Sequence, residues 1–413
     1  MKAPKYSCII RRVSYGEIQK MVEYNPFSDD VVKGDPLPIY KQLRDEAPAY
    51  YLEEYDTWVL SRFADIWKAS GDMKSLTAAK GTTSAHLLTK VQPVTPMINM
   101  MDAPDHSRLR SAFREPFAAP RVALLEPMIR KISIDSLDAA AEQGSMDVLA
   151  DFTSKVAVTV ACTISGLPAE DGAFLNELVW RFFKREEGVA GMTDAGLAAM
   201  GEMFAYFHEK ITERRASGAK DDILQTLLEF EQDGKPLEDE AIASHLSMLI
   251  IGGSETFPKT FASLVRRLWE HPDQRQMCID DPSLIPDACT EGLRFDMPTQ
   301  FLMRVVKRPC EFAGAKMTEG QPIMFLYHSG NHDEREFENP DEFRILRRPQ
   351  RILSFGFGPH SCLGINVARL EGRVCLEELL KRYPNYEVDL DHSERLLTEF
   401  VQGYWKLPIR ISA

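Results

Sequence analysis

The stretch Phe355–Gly364 reads FGFGPHSCLG and sets a single cysteine, Cys362, among three glycines, a proline and a histidine. Beyond it, apolar residues at Leu363, Val367, Leu370 and Val374 keep helical spacing until Tyr383 and Pro384, so the sequence places Cys362 at a helix N-terminus. Unpaired backbone N–H groups and the positive end of the helix dipole favour thiolate over thiol there, as they do for reactive or metal-bound cysteines. Gly356, Gly358 and Gly364 permit a tight loop and the close approach of a flat partner. Pro359 stiffens the loop, and His360 offers a donor two residues before the sulfur. A glycine-rich turn ending in an inert buried cysteine would need none of this company.

The rest of the chain is that of an ordinary globular protein. Of its 413 residues, 44% are hydrophobic and 27% charged, which excludes extensive disorder. The net charge of -13 argues against a nucleic-acid partner. No run reaches about 18 uninterrupted apolar residues, and MKAPKYSCIIRRVSYGEIQ at the N-terminus lacks a signal-type apolar core, so neither a membrane span nor a leader is expected and the protein is expected in the cytoplasm. The seven cysteines (8, 162, 278, 289, 310, 362 and 375) are odd in number and lack CxxC spacing, which suggests neither a disulfide framework nor a structural zinc site.

The pattern predicts a mainly α chain with minor β, as one body without a linker. PAYYLEE from Pro48 and TWVLS from Thr57 read as a hairpin turning at Tyr55 and Asp56. Residues 105–297 and 363–383 are mostly helical in period. FLMRVV from Phe301 and PIMFLY from Pro322 suggest a second small sheet, giving β-rich parts near 48–62 and 298–330.

The segment Ile242–Pro272 reads as one long helix, which at about 1.5 Å per residue spans roughly 45 Å. Gly252 and Gly253 sit inside it, each costing up to about 1 kcal/mol relative to alanine. A groove for a flat cofactor or dioxygen would explain them. The Thr256 hydroxyl can bond the carbonyl of Gly252, four residues earlier. Pro258 has no N–H, which leaves the Ser254 carbonyl without its helical donor and allows a locally opened helix with water beside Glu255 and Thr256.

FGFGPHSCLG resembles the haem-binding loop of the cytochromes P450 at nearly every position. The resemblance implies haem b with Cys362 as the axial iron ligand, and Phe355, His360 and Gly364 in the cofactor-binding loop. A thiolate ligand favours O–O bond cleavage. GGSET resembles the family's acid–threonine motif, which implies that Gly252 borders the haem, Thr256 orients oxygen and Glu255 feeds protons inward. DAPDHSRLRSAF resembles the segment that donates to haem propionates through His106 and Arg110, with Arg304 and His360 as further partners. Glu291 and Arg294 in EGLR are three apart on a helix that must end before Pro298, and resemble the family's buried ExxR pair. The third member of that cluster usually comes from a PxRF-like segment, where this chain has NPDEF with Glu342; Arg344 or another group takes its place.

These motifs occur in the family's order along nearly the whole chain. They imply the triangular, mainly helical P450 fold with a long central helix, as a single catalytic domain over residues 1–413. The implied reaction inserts one oxygen atom from O2 into a small or medium apolar substrate, with electrons from NAD(P)H through separate proteins. A monomer is expected. Arginines 108, 110, 114, 121, 347, 348 and 351 suggest a basic cysteine-side surface for a ferredoxin or flavin-type donor. The rival readings are a haem-thiolate peroxygenase, which commonly replaces the acid–threonine pair, and a haem-binding sensor or carrier, which needs no proton route. Substrate walls are expected from Leu87–Met100, Trp180–Phe183, Met248–Gly252, Thr299–Met303 and Val401–Tyr404. Phe182, Met248 and Val401 are the apolar candidates there, and Thr95, Asn99, Thr299 and Gln300 are available to orient a polar group.

Overall fold

The structure, a computed structural model, describes residues 22–93, 95–186, 189, 191–232 and 234–411. Cys8 and the N-terminal stretch read above lie outside the described residues. The predicted hairpin is present: Ala49–Leu52 pairs antiparallel with Thr57–Leu60, and the turn closes through a short 3-10 segment with Asp56 in the left-handed region at φ 45°. The predicted second sheet does not form. Leu302–Val306 and Pro322–Phe325 pair antiparallel with each other, and Pro322–Phe325 also runs parallel to Thr57–Leu60. With Leu76–Thr77 on the far edge they complete one five-stranded sheet. All four residues of Pro322–Phe325 are buried, as expected for an inner strand covered on both faces.

Helices make up most of the remainder. The predicted central helix runs Asp239–Glu270, 32 residues, and stays helical through Pro258. Every residue from Ile242 to Ser247 and from Phe257 to Val265 is buried, runs long enough to go all round the helix, so it is a core helix rather than an amphipathic surface one. Each large apolar side chain among them contributes roughly 1.5–3 kcal/mol through burial. Three of its hydroxyls are satisfied within the helix: Ser247 donates to Ser244 O (2.8 Å), Ser254 to Ile250 O (2.6 Å) and Thr260 to Thr256 O (3.0 Å). The residue before Pro272, His271, has left the helical region at φ -121° and ψ 71°, since proline disfavours helical backbone in its predecessor, and it ends the helix.

Two further helices flank this one. Val148–Ser165 is long and apolar enough by composition to cross a membrane, yet 67% of it is buried inside the fold, and Ala161 meets the central helix at Gly253. The helix after the cysteine loop runs Ile365–Arg382 and reaches the central helix where Gly372 approaches Phe257.

Candidate active site

Left-handed glycines shape the cysteine loop. Gly356 (φ 64°) and Gly358 (φ 80°) take conformations that other residues resist, and a Cβ on Gly358 would also lie 3.0 Å from Ser70 O. Pro359 and His360 form a 3-10 turn, and Cys362 N–H donates to Phe355 O at 2.7 Å, which closes the loop. The following helix begins at Ile365 with Gly364 as its cap, so Cys362 stands just ahead of the helix rather than in its first turn. The effect on sulfur differs accordingly. Burial pushes the thiol up, while the Gly364 N–H and the Arg110 guanidinium pull it down. Cys362 is nonetheless exposed and so remains open to contact.

The four expected cationic or imidazole groups converge beside it. His106 and Arg110 share one face of the helix Asp105–Ala112. The His106 ring stacks on His360 at 4.0 Å, and Arg110 donates to the Ser361 carbonyl. Arg304 is buried in the strand Leu302–Val306 and, among the described residues, donates only to its neighbour's carbonyl, Met303 O, at 2.7 Å. Neither Arg110 nor Arg304 has a carboxylate within ion-pair distance among the described residues. His360 Nε2 is buried without a hydrogen-bond partner, and its pKa is pushed down to about 2 by burial, then by Arg304, His106 and Arg110. Burial and the two arginines also lower His106.

These observations test whether haem suits the site. Two desolvated arginines without a carboxylate at ion-pair distance, beside an orphaned imidazole nitrogen, call for a bound anion; Asp102 acts on Arg304 and His106 only at longer range and is itself held by Thr77 Oγ1, the Ala78 N–H and Lys307. Two propionates meet that need. The macrocycle needs room, and added Cβ atoms at Gly364 would meet nothing within 4 Å, and at Gly252 only the Met248 Cε at 3.3 Å. The residues present fit haem. Gly253 differs from its neighbour: a Cβ there would lie 3.1 Å from Ala161 Cβ, so it serves helix packing and not the groove.

On the central helix, Thr256 Oγ1 donates to Gly252 O at 3.0 Å, as its spacing predicts. Glu255 is more enclosed than a solvent-fed acid. It is 1% exposed, and Lys259 Nζ, equally buried, lies 2.5 Å from its Oε1. This is an ion pair by distance and not a directed hydrogen bond, because the angles leave Oε1 without a hydrogen-bond donor. Burial pushes the Glu255 carboxyl up against the opposing pull of Lys259.

The buried charge cluster is complete. Arg294 grips Glu291 with two bonds, Nε to Oε2 at 2.9 Å and Nη2 to Oε1 at 2.8 Å, and both residues are fully buried. Arg347 is the third member, donating Nε–H to Glu291 Oε1 at 3.1 Å, and Arg344 contributes only its backbone N–H at 3.0 Å. Glu342 takes part through its carbonyl, which accepts from both arginines. Asn331 links this cluster to the cysteine loop: its carbonyl accepts from Arg294, and its side chain bonds Ser354 and Leu353 N–H.

The expected pocket residues divide. Met248 is partly open beside Gly252, and Phe182 is partly open with its ring on Phe183. Asn99 donates to Thr82 Oγ1 and keeps Oδ1 buried without a partner. Thr95 holds the central helix by accepting from Ser244 Oγ at 2.8 Å. Thr299 bridges to Val401, which is itself buried. Gln300 is already committed, since its Oε1 accepts from Tyr40 (2.8 Å) and its Nε2 donates to Glu399 O (3.2 Å); it clamps the wall and has no free group for a substrate. A polar bridge unannounced by any motif lies nearby: Glu399 accepts from Ser84 Oγ at 2.7 Å and faces Arg185 at 3.5 Å.

Comparison with known proteins matches this geometry. The family model described as Cytochrome P450 matches residues 192–403. Cytochrome P450 130 of Mycobacterium tuberculosis (strain ATCC 25618 / H37Rv) is 32% identical over 364 residues, 86% of this chain and 89% of the relative. Vitamin D(3) 25-hydroxylase of Pseudonocardia autotrophica is 31% identical over 382 residues, 91% and 93% of the two chains. The solved structure of the Bacillus subtilis 168 bacillaene polyketide synthase cytochrome P450 PksS superposes with a TM-score of 0.83 at 27% identity, covering 95% of this chain and all of that one (100%). The cysteine loop, the Thr256 back-bond and the Glu291 cluster thus stand in a sequence alike along most of its length to these proteins, and the chain belongs to the cytochrome P450 family, as a bacterial-type haem-thiolate monooxygenase.

Proposed function

We propose that the whole chain acts as one catalytic domain, a cytoplasmic monomer that holds haem b through the Cys362 thiolate and oxidises a small or medium apolar substrate. The observation that carries this reading is the pair of arginines without a carboxylate at ion-pair distance among the described residues, gathered with two imidazoles beside an exposed cysteine. Arg110, Arg304, His106 and His360 would hold the two propionates by charge-assisted bonds, which offset the desolvation of the carboxylates. The Gly364 N–H and Arg110 would stabilise the sulfur as its anion.

Bound there, haem supplies the activation of O2, with one oxygen atom entering the substrate and the other leaving as water. The chain's own residues supply the rest. Gly252 leaves space where a side chain would intrude. The Thr256 hydroxyl, turned back on the Gly252 carbonyl, is poised to exchange that bond for one toward the oxygen site. Glu255 stands behind it to take up a proton and pass it on, out of contact with bulk water, which keeps proton delivery from becoming leakage. Met248, Phe182 and the buried apolar residues near Val401 favour an apolar substrate, and Asn99 Oδ1 offers one acceptor for a polar group on it.

Electrons come from a ferredoxin or flavin-type donor on the cysteine side. Several arginines there already have partners: Arg121 with Asp221, Arg348 with Asp287, Arg351 with Glu336 and Arg347 with Glu291. Arg114 remains exposed without an acidic partner among the described residues. Phe357, on the loop, is exposed and stacks on Trp67 at 3.9 Å. The donor is expected to dock on this combination of charge and apolar surface. Turnover with isotopically labelled O2 tests the function: one labelled atom should enter the product of any compound that shifts the haem from low to high spin. Label appearing only in water or peroxide, for every such compound, would contradict it.

A further inference from the structure

We propose that Lys259 is a positioning residue that governs proton supply at Glu255, through a buried ion pair capped by Trp405. The proposal rests on the reading of Glu255 and Thr256 given above and adds a residue to it.

Glutamate followed four residues later by lysine is the favourable order for a pair on one helix face. On a surface such a pair contributes little. Here both side chains are 1% exposed and 2.5 Å apart, so each charge depends on the other. The Lys259 ammonium also sits over the Trp405 ring, 4.8 Å from its centroid, and Trp405 meets Trp180 edge-on at 6.1 Å. Room for the lysine stem comes from Gly403, where a Cβ would lie 2.9 Å from Lys259 Cβ. Glycine at 403 and tryptophan at 405 together build a socket for this one cation.

Among the described residues, no other ionisable group is in a position to replace it. In the strand Tyr404–Lys406, which carries Trp405, Tyr404 accepts from Arg266 (2.7 Å) and Lys406 faces Glu394 (4.0 Å), on the side opposite Trp405. The helix Asp194–Ser217 meets the central helix near its start, through Arg215 with Asp239 and His208 with Glu240. Arg267 is engaged with Asp296 and Glu270 at the other end. Near Phe257, Glu371 is raised by burial alone, without a charge coupling to the pair. In the helix Gly172–Phe183, Arg181 is taken by Glu202, and the stretch of Ser154–Ser165 against Gly253 offers Ala161. Lys259 is the charged group that acts on Glu255.

The consequence is specific. With the ammonium in place, Glu255 can exist as a carboxylate in a dry site and accept a proton for delivery; without it, burial leaves the neutral acid as the stable form. The test compares haem-loaded wild type, Lys259→Met, Glu255→Gln and the double variant. Difference infrared spectroscopy at neutral pH should show a carboxylic-acid carbonyl band in K259M that is absent from wild type and from K259M/E255Q. The pH profile of coupled turnover should move to higher pH in K259M by about one unit or more. A K259M protein with an intact reduced carbon-monoxide thiolate band but neither change would overturn the proposal and leave Lys259 a packing residue. If K259M alone fails to hold haem, the double variant decides. Recovery of the thiolate band when both charges go supports the pair, and no recovery overturns it. A wild-type protein without that band would sink the haem-thiolate reading instead, and the infrared comparison would still report on the pair.

Discussion

Arg347 and Arg348 are adjacent arginines with unequal expected contributions, and replacing each by alanine weighs the buried cluster against a surface pair. The Arg347 side chain is 7% exposed and bonds the fully buried Glu291 at 3.1 Å, with further bonds to the carbonyls of Asn339 (3.0 Å) and Glu342 (2.8 Å). Removing it deletes one charge-assisted hydrogen bond to a carboxylate that water cannot easily reach, worth about 1.5–3 kcal/mol. The freed carbonyls lie near the surface and can be hydrated, so they add little. Arg348 is 61% exposed and pairs with Asp287 at 2.7 Å, a contact worth about 0–1 kcal/mol. Denaturant unfolding, followed by far-ultraviolet circular dichroism and by the Soret band, should therefore separate the two variants clearly. Because the cluster is tied through Asn331 to Leu353 and Ser354, just ahead of the loop, R347A should also lose its Soret signal earlier in the titration than its helical signal. Equal midpoints for R347A and R348A would refute the assignment of Arg347 as the third arm.

Three other perturbations follow from the site. Thr256→Ala removes the hydroxyl that bonds Gly252 O, and O2 uptake should continue while product per O2 falls roughly tenfold or more; unchanged coupling would remove Thr256 from proton delivery. The His245 imidazole is held down to about 4 by burial, against about 6.5 in the unfolded chain. Its folded pKa is the lower one, so the unfolded chain takes up the proton first and stability is lost as pH falls from about 6.5 toward 4, by up to about 1.4 kcal/mol per unit. His245→Gln should flatten that part of a stability-versus-pH curve, and an identical slope would contradict the burial argument. Arg114→Glu should slow reduction by the donor and weaken its salt dependence. Arg351→Glu should instead chiefly cost stability, by repelling Glu336 and uncovering Phe63 and Trp67; the reverse ranking would move the docking surface.

What sequence reveals here divides by distance along the chain. The hairpin at Tyr55 and Asp56 is local, so turn residues and strand patterns announce it. The parallel pairing of Thr57–Leu60 with Pro322–Phe325 spans over two hundred residues and has no local mark, which is why two small sheets are expected and one forms. The Thr256–Gly252 bond follows from spacing on one helix. Which of two neighbouring glycines packs against the next helix depends on the azimuth of Ala161, a residue of that other helix. Spacing likewise puts Lys259 one turn from Glu255, yet only burial of both turns an ordinary surface pattern into a buried pair. Gln300 looks free in sequence and is claimed in the fold by Tyr40 and Glu399.

The central claim is that Cys362 holds haem as a thiolate. The reduced carbon-monoxide difference spectrum of the purified protein measures this most directly. The red-shifted thiolate Soret band should be present in wild type and absent from Cys362→Ser, whereas its absence from wild type, or its persistence in C362S, would contradict the account.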